Sequence, residues 1–95
     1  KFDSKWEAER YGQLESMKMA GIIQDLERQV NYDIIVNDQK ICRYIADFVY
    51  ILVHEDGSEK KIVEDAKGIE TTDFKLKKKL MKAVFDIEIK ISKKK

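Results

Sequence analysis

Asp47, Asp65 and Lys67 are charged residues placed where the sequence otherwise reads as the interior of a sheet. Asp47 sits within the apolar run "YIADFVY", and Asp65 and Lys67 sit within "KKIVEDAKG". Side chains alternate along a strand, so Asp65 and Lys67 share one face while Glu64 and Ala66 point to the other. The two runs can fold over the turn at Asp56-Gly57 in two registers. A two-residue loop at 56–57 places Asp47 opposite Ala66. A three-residue loop at 55–57 places it opposite Asp65, roughly 5 Å away. Two bare carboxylates at that separation repel, and each has its pKa raised unless a cation joins them. Mg²⁺ or Mn²⁺ suits carboxylate oxygens completed by water. Lys67 beside the pair can bind a phosphate oxygen or orient a water, and Glu7 on a preceding helix can add a third carboxylate. These are the parts of metal-assisted phosphodiester hydrolysis, in which positive charge meets the negative charge of the transition state.

A plainer reading stands beside each of these. An edge strand with one solvated face would also carry Asp65 and Lys67, and Glu64 on the opposite face is expected to pair with a surface lysine. Glu7 is placed to be a helix-capping residue as well as a metal ligand. Lys75, Lys77, Lys78, Lys79 and Lys82 surround the apolar stripe of one helix, as either phosphate contacts or a solvated face. Thr71 and Thr72 are helix caps first, although a helix N-terminus can also bind phosphate. His54 reads as an ordinary hairpin residue.

The elements that must position these groups follow from local pattern. "FDSKWEAERYGQLESMKMAG" is a helix: Ser4 is its N-cap, Glu7 completes a capping box, and Gly21 ends it. Trp6, Leu14 and Met17 are expected on its inward face, with Ala20 near its end. "YDIIV" (32–36) is a strand and "NDQK" a turn. "ICRYIADFVYILV" (41–53), apolar on both faces and rich in β-branched and aromatic residues, is a central strand. "KKIVEDAKG" (60–68) is the next. Thr71 or Thr72 caps the helix "DFKLKKKLMKAVF", with Leu76, Leu80 and Val84 expected inward at a spacing of four. "DIEIKI" (86–91) alternates as a half-buried strand. The order α-β-β-β-α-β predicts an α+β fold: a meander, then a crossover helix and a fourth strand, giving a mixed four-stranded sheet with flanking helices.

The chain has 95 residues, of which 43% are hydrophobic and 39% charged, enough for one domain with a modest core, residues 1–95. It begins at Lys1 without a methionine, so an upstream piece is expected. No apolar run approaches the roughly 18 residues of a membrane span, so no membrane partner is expected. The single Cys42 excludes an internal disulfide, fits a reducing cytosol and is expected as a small buried thiol. A net charge of +1 conceals an asymmetry: residues 75–95 carry nine lysines against Asp86 and Glu88, and residues 1–74 carry ten basic and sixteen acidic side chains. A basic end beside an acidic remainder points to a polyanion partner.

The ordered set Glu7, Asp47 and Asp65-Ala66-Lys67 on this element order resembles the PD-(D/E)XK nuclease superfamily, with Ala46 in place of the motif's proline. "FDSKWEAERY", "YIADFVY", "VEDAKG" and "TTDFKLKKKL" are similar to a phage-encoded branch catalogued as a domain of unknown function, from Phe2 to about Ile91. The resemblance implies a restriction-endonuclease-like core and a Mg²⁺- or Mn²⁺-dependent DNA endonuclease. Glu7, Asp47, Asp65 and Lys67 would be its catalytic residues, and the three carboxylates its metal ligands. Related small members include Holliday-junction resolvases, so it further implies branched DNA as substrate, a homodimer, and action in the cytoplasm of a bacterial host. By analogy Gln29 could reach the site, although its own residue type assigns it nothing. The alternative on the same fold is a non-catalytic module that binds DNA or protein.

Overall fold

A computed structural model describes residues 4–67 and 69–93. Helix α1 (Lys5–Met19) is followed by strands β1 (Ile23–Val36), β2 (Gln39–Val53) and β3 (Glu59–Ala66), helix α2 (Thr72–Phe85) and strand β4 (Ile89–Ser92). The sheet order is β1-β2-β3-β4, antiparallel except for the parallel β3–β4 pair that α2 connects. This is the mixed α+β architecture expected from the element order. Gly68, expected as the end of the third strand, and Lys94 and Lys95 of the basic tail lie outside the described residues.

The local signals act as anticipated at the helix starts. Ser4 Oγ accepts from the Glu7 N–H at 3.1 Å and Thr71 Oγ1 from the Phe74 N–H at 3.1 Å, each satisfying a donor that has no partner in the helix. After the C-cap Ala20, Gly21 adopts φ 79°, where a side chain would be strained. Asn37 and Asp38 both take positive φ, as the tight turn between β1 and β2 requires.

Several expectations are corrected. β1 starts at Ile23 instead of Tyr32, because Gln24 to Asn31 look like loop by composition yet find ladder partners along the length of β2. β4 starts at Ile89, because Asp86 at φ 57° ends α2 in a left-handed cap and leads the chain out of the helix. The inward side of α2 is Phe74 and Met81, with Leu80 packed beside them, whereas Leu76 is 56% and Val84 37% exposed. Phe74 and Met81 are seven residues apart and share one helix face, and that face, not the line through Leu76 and Val84, is set against the sheet. On α1, Glu7 and Leu14 are buried and Trp6 only half-buried. Cys42 is half-buried instead of enclosed.

Two cores lie on opposite faces of the sheet. Leu14 of α1 packs with Ile23, Phe48 and Tyr50. Phe74 and Met81 of α2 pack with Ile34, Tyr44, Ala46, Val49, Val63 and Ile89. In a regular strand Tyr44, Ala46, Phe48 and Tyr50 would all face one way. Here the first two face α2 and the last two face α1, so the alternation of β2 reverses at Asp47. The partner strand is irregular at the same level: Gln29, between the pairs Arg28–Phe48 and Val30–Ala46, takes φ 52°. N-terminal to the reversal, β1 and β2 continue as a two-stranded ribbon that packs one face on α2. Its other face leaves Ile35, Ile41 and Ile45 exposed.

Candidate active site

The reversal in β2 coincides with the end of its pairing to β3. The β2–β3 ladder runs from Val53–Glu59 to Phe48–Glu64 and stops. Every pair in it sums to 112, the register of the three-residue loop, and His54 N–H extends it to the Ser58 carbonyl at 2.8 Å. Continued one step, the register brings Asp47 to Asp65. At that step β2 and β3 part, and the Asp47 side chain fills the gap: its Oδ2 accepts from the Ala66 N–H at 2.9 Å, replacing a backbone partner. Asp47 is 9% and Asp65 1% exposed. Register chemistry in a distant hairpin, set by Asp56 accepting from Ser58, thus fixes where the two carboxylates meet.

Asp65 is held on one side only. Its Oδ2 accepts from the Tyr44 hydroxyl at 2.7 Å, while its buried Oδ1 has no hydrogen-bond donor among the described residues. The Lys67 ammonium is 3.8 Å from that Oδ1 and rests 4.9 Å from the centroid of the Phe74 ring. Burial first, and the neighbouring Asp47 carboxylate second, push the Asp65 carboxyl up to about 8, against the opposing pull of Tyr44 and Lys67. The Tyr44 phenol is raised in turn by its burial and by the charge of Asp65.

Glu7, 3% exposed, faces the same region from α1. Gln29 Nε2 donates to Glu7 Oε2 at 3.2 Å and lies 3.5 Å from Asp47 Oδ1. Arg28 Nη2 is 4.0 Å from Glu7 Oε2. Glu7 therefore approaches Asp47 through the Gln29 amide, and its backbone N–H meets the Ser4 cap as well. Among the described residues no group of three or more His, Cys, Asp or Glu side chains converges as a metal centre. What the structure brings together is the pair Asp47 and Asp65, with Lys67 beside it and Glu7 behind Gln29.

Glu64 is corrected. It pairs with no surface lysine but is fully buried on the α1 face, where Arg10 Nε and Nη2 donate to its two oxygens at 2.6 and 3.1 Å and Tyr50 donates at 2.6 Å. Burial alone would raise its carboxyl; the Arg10 and Tyr50 hydrogen bonds outweigh that and hold it low. This clamp, with Trp6 Nε1 donating to the Ser92 carbonyl at 3.0 Å, ties the first half of α1 to β3 and β4 and thereby sets the position of Glu7.

The five helix lysines separate. Lys77 reaches a cavity of about 240 Å³ at Asp65, whose walls also include Lys67, Arg43 and Thr71. Lys75, Lys78, Lys79 and Lys82 line another, of about 560 Å³, together with Glu70 and Glu88. Spacings of three and four put these four on one helix face. Thr71 is the N-cap of α2, and Thr72 is its exposed first residue. Tyr44, Arg43 and Arg10 had no signal in the sequence. By strict alternation Tyr44 lies on the face opposite Asp65, and only the reversal at Asp47 brings it over.

Residues 1–94 match the family described as "Protein of unknown function (DUF1064)", and the chain belongs to that family. No curated protein and no solved structure matches it.

Proposed function

We propose that this protein is a divalent-metal-dependent endonuclease of the PD-(D/E)XK type. The observation that carries the reading is the buried, donor-free Oδ1 of Asp65, set against Asp47 with the Lys67 ammonium 3.8 Å away. Two buried acceptors with one open oxygen lack positive charge, and a hard divalent cation fits that donor set. Asp47 and Asp65 would hold Mg²⁺ or Mn²⁺, which supplies charge at the reacting phosphate and acidifies an attacking water. Lys67, steadied by the Phe74 ring, places a second positive charge where the phosphoryl oxygens become more negative. Gln29 and Glu7 hold Asp47 in its rotamer from the α1 side. Lys77 and the lysine face of α2 contribute phosphate contacts, with Thr71 and Thr72 at the start of that helix.

The finer reading rests on the resemblance: a phage-encoded protein acting on branched DNA such as a Holliday junction, as a homodimer, in the bacterial cytoplasm. No helix among the described residues is long and apolar enough to cross a membrane. Symmetric cutting of a junction needs two sites related by a two-fold axis, and the exposed Ile35, Ile41 and Ile45 offer a second copy apolar surface. A non-catalytic DNA- or protein-binding module is the alternative.

The test is cleavage of labelled linear, flapped, Y-shaped and four-way DNA with Mg²⁺, alongside Mn²⁺ calorimetry and light scattering. Cutting of the four-way substrate is expected, with Mn²⁺ binding much weakened in Asp65→Asn and a mass near twice the 11.2 kDa chain. Lys67→Ala should abolish cutting and leave DNA affinity nearly unchanged. Equal Mn²⁺ binding in wild type and Asp65→Asn would overturn the metal assignment. A chain that binds DNA and never cuts it is the non-catalytic module.

A further inference from the structure

Asp47 and Asp65 each commit one carboxylate oxygen to a close donor and leave the other more open. Asp47 Oδ2 accepts from the Ala66 N–H at 2.9 Å, and Asp65 Oδ2 accepts from the Tyr44 hydroxyl at 2.7 Å. Of the remaining oxygens, Asp47 Oδ1 has the Gln29 amide at the long distance of 3.5 Å, and Asp65 Oδ1 is buried with no hydrogen-bond donor among the described residues. The two close donors differ in kind. The backbone N–H is a property of the chain, whereas the phenol is a property of the residue type at position 44. The Tyr44 ring is 3% exposed and packed from two sides, its centroid 6.4 Å from Tyr32 of β1 and 6.4 Å from Phe74 of α2. That packing fixes where the hydroxyl stands. With Oδ2 tied to it, the Asp65 carboxylate cannot turn both oxygens freely toward one cation.

We propose that Tyr44 is a positioning residue that sets the ion selectivity of the site: it limits Asp65 to one oxygen and so favours Mg²⁺ or Mn²⁺ over Ca²⁺. This rests on the metal assignment of the nuclease reading and adds which cations the carboxylate pair accepts. Mg²⁺ is small, demands near-octahedral geometry and keeps several waters, so a site offering few protein oxygens suits it, and Mn²⁺ shares that geometry. Ca²⁺ takes about six to eight oxygens and gains from carboxylates free to bind through both. A hydrogen bond to a ligating carboxylate orients it and thereby tunes the ion it holds. Tyr44 acts through Asp65, and its own hydroxyl is already occupied there.

The experiment is titration calorimetry with MnCl₂ and with CaCl₂ on wild type, Tyr44→Phe and Tyr32→Phe, with melting curves verifying the fold. At a single pH, proton competition at Asp65 weakens both ions alike, so the ratio of the two dissociation constants is the readout. Wild type should bind Mn²⁺ more tightly than Ca²⁺. Tyr44→Phe keeps the ring and loses the hydroxyl, and its preference for Mn²⁺ should fall about tenfold, the lower end of what losing a partner of a metal ligand costs. Tyr32→Phe removes a buried hydroxyl with no hydrogen-bond partner among the described residues from the same aromatic stack, and should leave the ratio unchanged. An unchanged ratio in Tyr44→Phe, equal weakening of both ions included, would overturn the proposal while the nuclease reading stands. So would an equal shift in Tyr32→Phe, or a wild type that binds Ca²⁺ as tightly as Mn²⁺. A ratio shifted in Tyr44→Phe alone, in a protein that Mg²⁺ never induces to cut DNA, keeps the Tyr44 role and removes the nuclease reading. A wild type that binds neither ion overturns both.

Discussion

Glu64 and Asp65 are neighbours on one strand, both essentially buried, and their environments are opposites. Glu64 points toward α1 and meets a guanidinium and a phenol, so its charge is neutralised and each of its oxygens has a donor. Asp65 points toward α2 and meets one phenol, another carboxylate and a distant ammonium. Burial pushes both carboxyls upward; on the α1 side the donors reverse the shift, and on the α2 side they do not. A carboxylate that is fully satisfied fastens the fold, whereas one left short of positive charge is available for a ligand. The α1 face is thus a structural clamp, and the α2 face carries the candidate site.

Breaking the clamp should have the largest effect. Arg10→Ala strips the main counter-charge from a fully buried Glu64, and the loss is expected at about 3 kcal/mol. That is the low end for a broken buried pair, since Arg10 keeps 14% exposure. Urea denaturation at neutral pH measures it. A loss below about 1 kcal/mol would mean that Glu64 is protonated or hydrated, and that the two faces do not differ as described.

Removing the charge on the other face should act in the opposite direction. Asp65→Asn keeps an acceptor for Tyr44 and gains an amide that can donate to Asp47. In EDTA the variant should be more stable than wild type at pH 8, by about 1–2 kcal/mol, or several degrees in melting temperature for a domain of this size. The sign follows from linkage. A carboxyl raised from 3.8 to about 8 in the folded state binds more protons folded than unfolded, so wild-type stability falls as pH rises across that interval. The variant lacks that loss, and its advantage should shrink toward pH 4. Glu64, held low, contributes in the other window: its stabilisation is present above about 4.5 and is lost on further acidification. Melting curves from pH 3 to 9 separate the two, and an Asp65→Asn variant less stable than wild type at pH 8 would count against the unpaired carboxylate.

The smallest effect sharpens the comparison. Tyr44→Phe removes a direct hydroxyl donor to Asp65 at a cost of about 1 kcal/mol, and it should raise the Asp65 carboxyl further, since that hydrogen bond favours the ionised form. Carboxyl ¹³C shifts followed through a pH titration report the direction. A downward or absent shift would show that Tyr44 is packed beside Asp65 without supporting its charge.

The sequence alone determined the order of elements, the Ser4 cap, the α2 cap to within one residue and the presence of charged residues inside apolar strands, because these depend on local pattern: hydroxyls before helical runs, β-branched stretches, turn residues. It narrowed the hairpin to two registers, and one of them put Asp47 and Asp65 together. Local pattern does not choose between them, since both loops are compatible with "HEDGSE"; the need for the two carboxylates to share a face predicts an odd-numbered loop, and the hydrogen bonds of Asp56, His54 and Ser58 hold that register. It also missed the first half of β1, whose polar residues are strand only because β2 is long enough to pair with them. The reversal at Asp47 was out of reach for a more general reason. Strand parity is a one-dimensional rule, and it assigns Tyr44 to the wrong face for Asp65 and leaves Glu64 looking for a surface lysine. Two helices packed on opposite faces of one sheet, with the middle strand changing face between them, decide which buried carboxylate receives an arginine and which is left open. That decision depends on side chains distant in sequence competing for the same space, and only the tertiary structure contains it.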